Sequence, residues 1–368
     1  MIHVTSAANR TPSTVPLPAS TPHFPPAQRS NQPLRSILFL VDVEPDARKT
    51  HPGAGEWEGS EKALVHLERL RGEFEQATGR PVQLNWFLRA DPQIKATYGR
   101  ANYVADACPG IMRAIQERGD YCGIHIHFWR WDSTRSEWFN DLNDAAWMAE
   151  CVNTAIDAFR TMFGHSPGAS RFGDRWLSET AVTLLRDAGV RYDLTAEPGL
   201  PGTPVHDDPH ATSWITDYAA APREPWMPSD EDLFVPRART VSDAGRLWMI
   251  PLSTSRPGWR LVRRPPYVMK ASRSPNLALD SSHVWPMIRA HLDRPSHVPL
   301  AFVVRSGDLA TPRFMRNFLA TTRELVRHPA LAFSEFTDPA TAMARWLETR
   351  NRLLEEGPGP KQAMRRNQ

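Results

Sequence analysis

The stretch Ser36–Glu44, SILFLVDVE, is where ordered structure is expected to begin. Ile37–Val41 is a continuous apolar run, the pattern of a parallel strand covered on both faces. It runs into Asp42-Val43-Glu44, and residues two apart on a strand project to the same side. The two carboxylates can therefore share one face. Upstream, residues 1–34 are rich in Pro, Ser, Thr and Ala with almost no large apolar side chains. Such a segment buries too little to offset its ordering entropy, so a disordered tail is expected.

Downstream, helical and strand patterns alternate. Residues 60–76 show helical periodicity with Ser60 as the expected N-cap, and 81–88 (PVQLNWFL) reads as a second strand. A helix closed by Gly119 leads to a third strand at 121–129, and a long helix over 141–164 ends at Gly164. A short strand (168–173), a capped helix (178–189) and a strand (190–195) follow. Later come a strand at 246–253, a helix at 282–292, a strand at 298–306, a helix at 312–328, a strand at 330–336 and a last helix. This alternation means βα units and a parallel sheet, and seven or eight units over residues 35–348 fit a closed or distorted (β/α) barrel better than an open sheet. No glycine-rich phosphate loop opens any helix. The interruption at 196–246 carries eight prolines together with Trp214, Tyr218 and Trp226, which suggests a packed lid over a cleft. Residues 349–368 read as a flexible basic tail.

The 368 residues carry a formal charge of +3, too small to indicate nucleic-acid binding. Cys108, Cys122 and Cys151 have neither CxxC spacing nor an even count, which favours a reducing compartment and no cysteine metal site. No apolar run is long enough to span a membrane, and residues 1–24 lack the basic start and apolar core of a secretion signal. A cytoplasmic location is expected; oligomeric state is not legible.

Chemistry concentrates at strand ends, where parallel barrels carry their sites. In Gly123–Trp131, GIHIHFWRW, His125 and His127 stand two apart in an apolar run, so a strand projects both imidazoles into one space. Two imidazoles and a carboxylate with one open position form a common hydrolytic metal set, and a second carboxylate beside them can act as general base. A buried, hydrogen-bonded core histidine is the competing reading. Arg89 and Asp91 follow the second strand and suit either substrate contact or loop bracing. Trp129 and Trp131 suit either stacking on a sugar face or capping of the barrel mouth. The run Arg256, Arg260, Arg263 and Arg264 reads as solvated surface, with an anionic glycan or nucleotide-sugar as the alternative. His206-Asp-Asp-Pro-His210 has metal-type composition but sits in a proline-rich loop.

In order and spacing, FLVDVEPD, GDYCGIHIHFW, SRFGDRWLSETAVTLLRDAGVRYDLTAEPG and LWMIPLS resemble the successive motifs of the polysaccharide deacetylase (NodB-homology) family over roughly residues 35–345. The third is the most specific. The resemblance implies a distorted (β/α) barrel of about seven strands and metal-dependent removal of N- or O-acetyl groups from sugars. It implies one divalent ion, zinc first, with cobalt, nickel or manganese as alternatives. Asp42 matches the family's base. Val43 replaces its neighbouring Asp ligand, which leaves Glu44 as the carboxylate ligand, and the two roles are exchangeable. His125 and His127 match the metal histidines at the shorter spacing of an HxHPW subgroup rather than the usual four. Arg171 matches the residue that orients the catalytic Asp, and Asp174 and Trp176 would line the cleft.

One departure stands out. The family's last motif presents a His as general acid, and here Arg305 occupies that place. Arginine is a poor proton donor but suits an oxyanion or carboxylate. Asp308, His206 or His210 could supply the acid instead. The implied function is deacylation of an amino sugar or related carbohydrate. A non-catalytic carbohydrate-binding or regulatory barrel, or a different C–N hydrolase, are the alternatives.

Overall fold

The computed structural model of the chain describes residues 34–50, 56–204, 214–237, 245–263, 266–294 and 296–355. The first strand, β1 (Arg35–Val43), has β2 (Asn85–Arg89) on one side and β13 (Leu300–Arg305) on the other. Beyond β2 the sheet continues through β3 (Tyr121–Ile126), β6 (Ala169–Phe172), β7 (Tyr192–Asp193) and β10 (Trp248–Met249). β14 (Ser334–Phe336) pairs with the start of β1, and every pairing in this sheet is parallel. The seven-strand path agrees with the barrel expected from the alternation of elements.

The sheet curls until its ends nearly meet. Ser253, just past β10, donates its backbone N–H to Ala301 O at 2.8 Å, and its hydroxyl accepts from Ala301 N at 2.9 Å. The next stretch of the β13 edge is taken by residues 275–277: Leu277 N donates to Val303 O and Val303 N to Pro275 O. Closure thus comes from short contacts rather than a ladder.

Period-two alternation sorts each strand into two environments. Ile37, Phe39, Val41 and Val43 face outward, into a core shared with α1 (Glu58–Thr78), α4 (Pro109–Arg118), α7 (Ser281–Leu292) and α8 (Pro312–Val326). Phe39 meets Phe302 edge-on at 5.1 Å, and burying each ring is worth about 2–3 kcal/mol. Leu38 and Leu40 face inward with Phe87, Ala169, Leu194, Ala301 and Val303, and Trp346 of α9 (Pro339–Glu355) packs against them. One step further along the same inward rows come Asp42 and Glu44, Arg89, His125 and His127, Arg171, and Arg305. The barrel interior is therefore aliphatic below and charged above.

Several details depart from the sequence expectations. Ser60 lies inside α1, with its hydroxyl 2.7 Å from that of Ser306; Asp46 caps the helix instead, accepting from Glu58 N and Gly59 N. Trp129 and Trp131 belong to β4 (Trp129–Asp132), which pairs antiparallel with β5 (Glu137–Asn140) in a hairpin off the main sheet. Gly164 does end α5 (Ala145–Phe163) in the left-handed conformation, and Ser178 does cap α6 (Glu179–Asp187). Within 196–246, Tyr218 and Trp226 are buried in a core cluster on the outer side of β3 and β6, and Trp226 bridges Met249 at the sheet edge. These two aromatics pack against the barrel wall, whereas Glu197, Leu200 and Ile215 of the same segment border the cleft. His206, His210 and the Trp214 side chain lie outside the described residues. α9 continues to Glu355, beyond the boundary expected at 348.

Candidate metal centre and catalytic cleft

The inward rows of β1, β3, β6 and β13 converge at their C-terminal ends on a cleft of about 770 Å³ bordered by Asp42, His125, His127, Arg171, Asp174 and Arg305. At its floor, fully buried Glu44 meets the two imidazoles. Glu44 Oε2 is 3.2 Å from His127 Nε2 and 3.8 Å from His125 Nε2, and the two Nε2 atoms are 3.1 Å apart. Three donors around one tetrahedral zinc ion stand roughly 3.4 Å apart.

The hydrogen bonds on the far side of each ring fix what faces inward. His125 Nδ1 is 3.0 Å from Arg171 O, a pure acceptor, so Nδ1 carries the proton. His127 Nδ1 is 3.1 Å from Asp174 Oδ2. Burial, then the Asp174 carboxyl's partners Arg48 and His127, oppose one another, and the partners win, holding Asp174 below the usual carboxylate range. It is therefore an acceptor as well. Both Nε2 lone pairs then point at each other and at Glu44. Burial pushes His125 down to about 4, keeping its ring neutral near pH 7. Burial would raise Glu44, but the Arg305 guanidinium, whose Nε donates to its Oε1, holds it well below its ordinary value. Its Oε2 has no hydrogen-bond partner among the described residues. Converging lone pairs and an ionised oxygen that accepts no hydrogen bond from the described residues, although Arg89 Nη1 stands 3.5 Å from it, fit a divalent cation.

The surroundings aim these groups. Arg305 Nε donates to Glu44 Oε1, leaving Oε2 turned toward the imidazoles, and Arg305 Nη1 reaches Asp308 Oδ1 at 3.3 Å. Arg171 Nε donates to both oxygens of Asp42 at 2.9 and 3.0 Å, and its Nη1 to Leu194 O. Gly173 leaves the room that His127 occupies, since a Cβ there would lie 2.1 Å from the ring. Asp174 and Arg175, the next two residues, both adopt left-handed backbone, with φ of 52° and 58°.

The expected site residues divide into two groups. Asp42, Glu44, His125, His127, Arg171, Asp174 and Arg305 come together. Arg89 and Asp91 do not border the cleft; both are fully buried beneath it. Arg89 Nε binds Asp91 Oδ2 at 2.9 Å, and Asp91 also accepts from the His127 and Ile94 amides. Of the two roles open to this pair, bracing is the one the contacts match. Trp129, Trp131 and Trp176 also stand apart from the cleft: Trp176 packs on Phe128 at 4.4 Å, Trp131 on Trp138 at 5.1 Å, and Lys49 sits over Trp129. For Trp129 and Trp131 chain direction explains this, because after β3 the chain enters the β4–β5 hairpin off the main sheet, while Trp176 ends the short turn that follows β6. Several cleft residues went unanticipated, among them Glu197, Arg48, Arg175, Arg273 and His283. Glu197 lies beyond the end of β7, where strand parity no longer applies, and its Oε2 lacks a partner among the described residues. Arg48, 2.9 Å from Asp174, lies in a loop with no local signal. The acidic group Asp46, Glu56 and Glu58 is the start of α1 with its cap.

No family model matches the chain, and no curated protein does. Among solved structures, a Mycobacterium smegmatis protein described as a polysaccharide deacetylase is 12% identical, over 88% of this chain and 94% of that one, with a TM-score of 0.45. A Pseudomonas aeruginosa PAO1 protein of the same description is 12% identical over 84% and 90%, with a TM-score of 0.46. The Puue allantoinase is 12% identical over 85% and 90%, with a TM-score of 0.44. The chemistry assigned to the cleft rests on its own side chains.

Proposed function

We propose that the chain is a metal-dependent hydrolase that removes an acyl group, acetyl first, from an amino sugar or related carbohydrate. The carrying observation is the convergence of two Nε2 lone pairs and the orphaned Glu44 oxygen at the floor of a cleft, with a second carboxylate alongside. Glu44, His125 and His127 would hold one divalent ion, zinc before cobalt, nickel or manganese. When bound, such an ion supplies Lewis acidity, polarising an acyl oxygen and making water a nucleophile near neutral pH.

Asp42 is the general base in this reading. Arg171 grips both its oxygens and so fixes the direction from which a proton is taken. Glu44 is the ligand, because its free oxygen and not that of Asp42 faces both imidazoles. Arg305 stays charged: burial would lower it, but Glu44 and Asp308 raise it further. It serves as an aiming group and a positive wall for developing negative charge. Asp308, which borders the cleft beside Arg305, is the proton donor toward the leaving group in this reading. The carbohydrate substrate class comes from the motif resemblance alone.

Elemental analysis of the purified chain beside His125→Ala and His127→Ala, followed by acetate release from N- and O-acetylated sugars, tests the reading. Near-stoichiometric metal that falls in both variants, with acetate release that falls with it, is expected. A parent without metal after reconstitution with all four ions would overturn it and leave a binding protein as the better account.

A further inference from the structure

A second cavity of about 600 Å³ lies between the Leu252–Ser255 segment, α7 and the start of β13. Arg35, Arg223, Arg256, Arg273 and Arg294 border it, against one carboxylate, Glu224. None of the five arginines forms an ion pair among the described residues, whereas Arg48, Arg171 and Arg305 of the catalytic cleft each hold a carboxylate. Guanidinium does not deprotonate, so five positive charges remain.

Two of the five are anchored without being neutralised. Arg35 Nη1 donates to His291 O at 2.7 Å, and Arg223 donates to Thr254 Oγ1 at 3.1 Å and Ser272 Oγ at 2.7 Å. The others have no side-chain bond among the described residues. The like charges bear on one another: burial and then Arg256 hold Arg223 below its ordinary value. Burial, with Arg223, Arg294 and Arg35, holds His291 down despite its bond to Thr254 O. A polyanion relieves this repulsion through several charge-assisted hydrogen bonds at once. The cavity exceeds the needs of a bare phosphate and matches a drug-sized ligand. Arg273 and His283 border both this cavity and the catalytic cleft.

We propose that this cavity binds a diphosphate group, either as free pyrophosphate or as the charged arm of a larger ligand. The inference stands on residues other than the candidate metal ligands and holds whether or not the hydrolase reading does. Calorimetry on the full chain with inorganic pyrophosphate, and separately with ADP as a nucleoside diphosphate, tests it. Binding should weaken tenfold or more in the Arg256→Ala/Arg294→Ala double variant and in Arg273→Ala, and persist in His127→Ala. Tighter binding of ADP than of pyrophosphate assigns the larger ligand, and equal binding assigns the free anion. No heat with either probe, binding that survives both arginine variants, or binding lost only in His127→Ala would overturn the proposal.

Discussion

The barrel buries two clusters of charge, one at each end of its strands, and they are built differently. At the N-terminal end, Arg71 and Asp120 close on themselves. Asp120 accepts from Arg71 Nη1 and Nη2 at 3.0 and 2.6 Å, from Leu84 N at 3.1 Å and from Trp86 Nε1 at 2.8 Å. Arg71 also donates to Val82 O and Glu68 Oε1. At the C-terminal end, Glu44 Oε2 and Arg89 Nη1 are left without hydrogen bonds among the described residues, although they stand 3.5 Å apart. A buried pair with every valence used is a fastener. At the other end, the Glu44 oxygen and the imidazole lone pairs that face it share one centre, a donor set suited to a cation.

Substitution should separate the two. Asp120→Ala strands the Trp86 N–H and leaves Arg71 with Glu68 as its one carboxylate, and should cost about 3 kcal/mol in urea unfolding while metal binding by the folded fraction is unchanged. Parallel loss of metal and stability would show that the clusters are not independent. His127→Ala should do the reverse, lowering metal affinity by at least about a hundredfold, equal to about 2.7 kcal/mol, read by competition with a chelator. The metal-free variant should unfold within about 1 kcal/mol of the metal-free parent, because it loses a ring that no closed network depends on. Asp174→Asn keeps the shape but weakens the acceptor behind His127. A loss of about 10–100-fold in metal affinity is expected, with stability nearly unchanged.

The candidate site was legible where it depended on strand parity. Alternation is local, so Asp42 with Glu44 and His125 with His127 could be placed on shared faces from their own sequence. What depended on chain direction beyond a strand end was not legible. The tryptophans after His127 follow a hairpin outward, and nothing in TrpArgTrp announces the antiparallel return at Glu137–Asn140. Arg89 sits at a strand end like the others, yet its register beside His125 and its reach to Asp91 draw it under the floor. The Ser60 cap failed for a different reason. Asp46 lies twelve residues before Glu58, farther than a local capping pattern reaches.

The left-handed pair Asp174-Arg175 has a consequence for variation. Two non-glycine residues in that conformation cost about 1–3 kcal/mol each. They are held there by Arg48 on the Asp174 carboxylate and by the Tyr218 hydroxyl, which donates to Arg175 O at 2.8 Å. A glycine at 175 would relax the backbone and surface as a gain in any screen for heat resistance, while loosening the acceptor that aims His127. Selection for thermal tolerance and selection for metal retention therefore pull on this one loop in opposite directions.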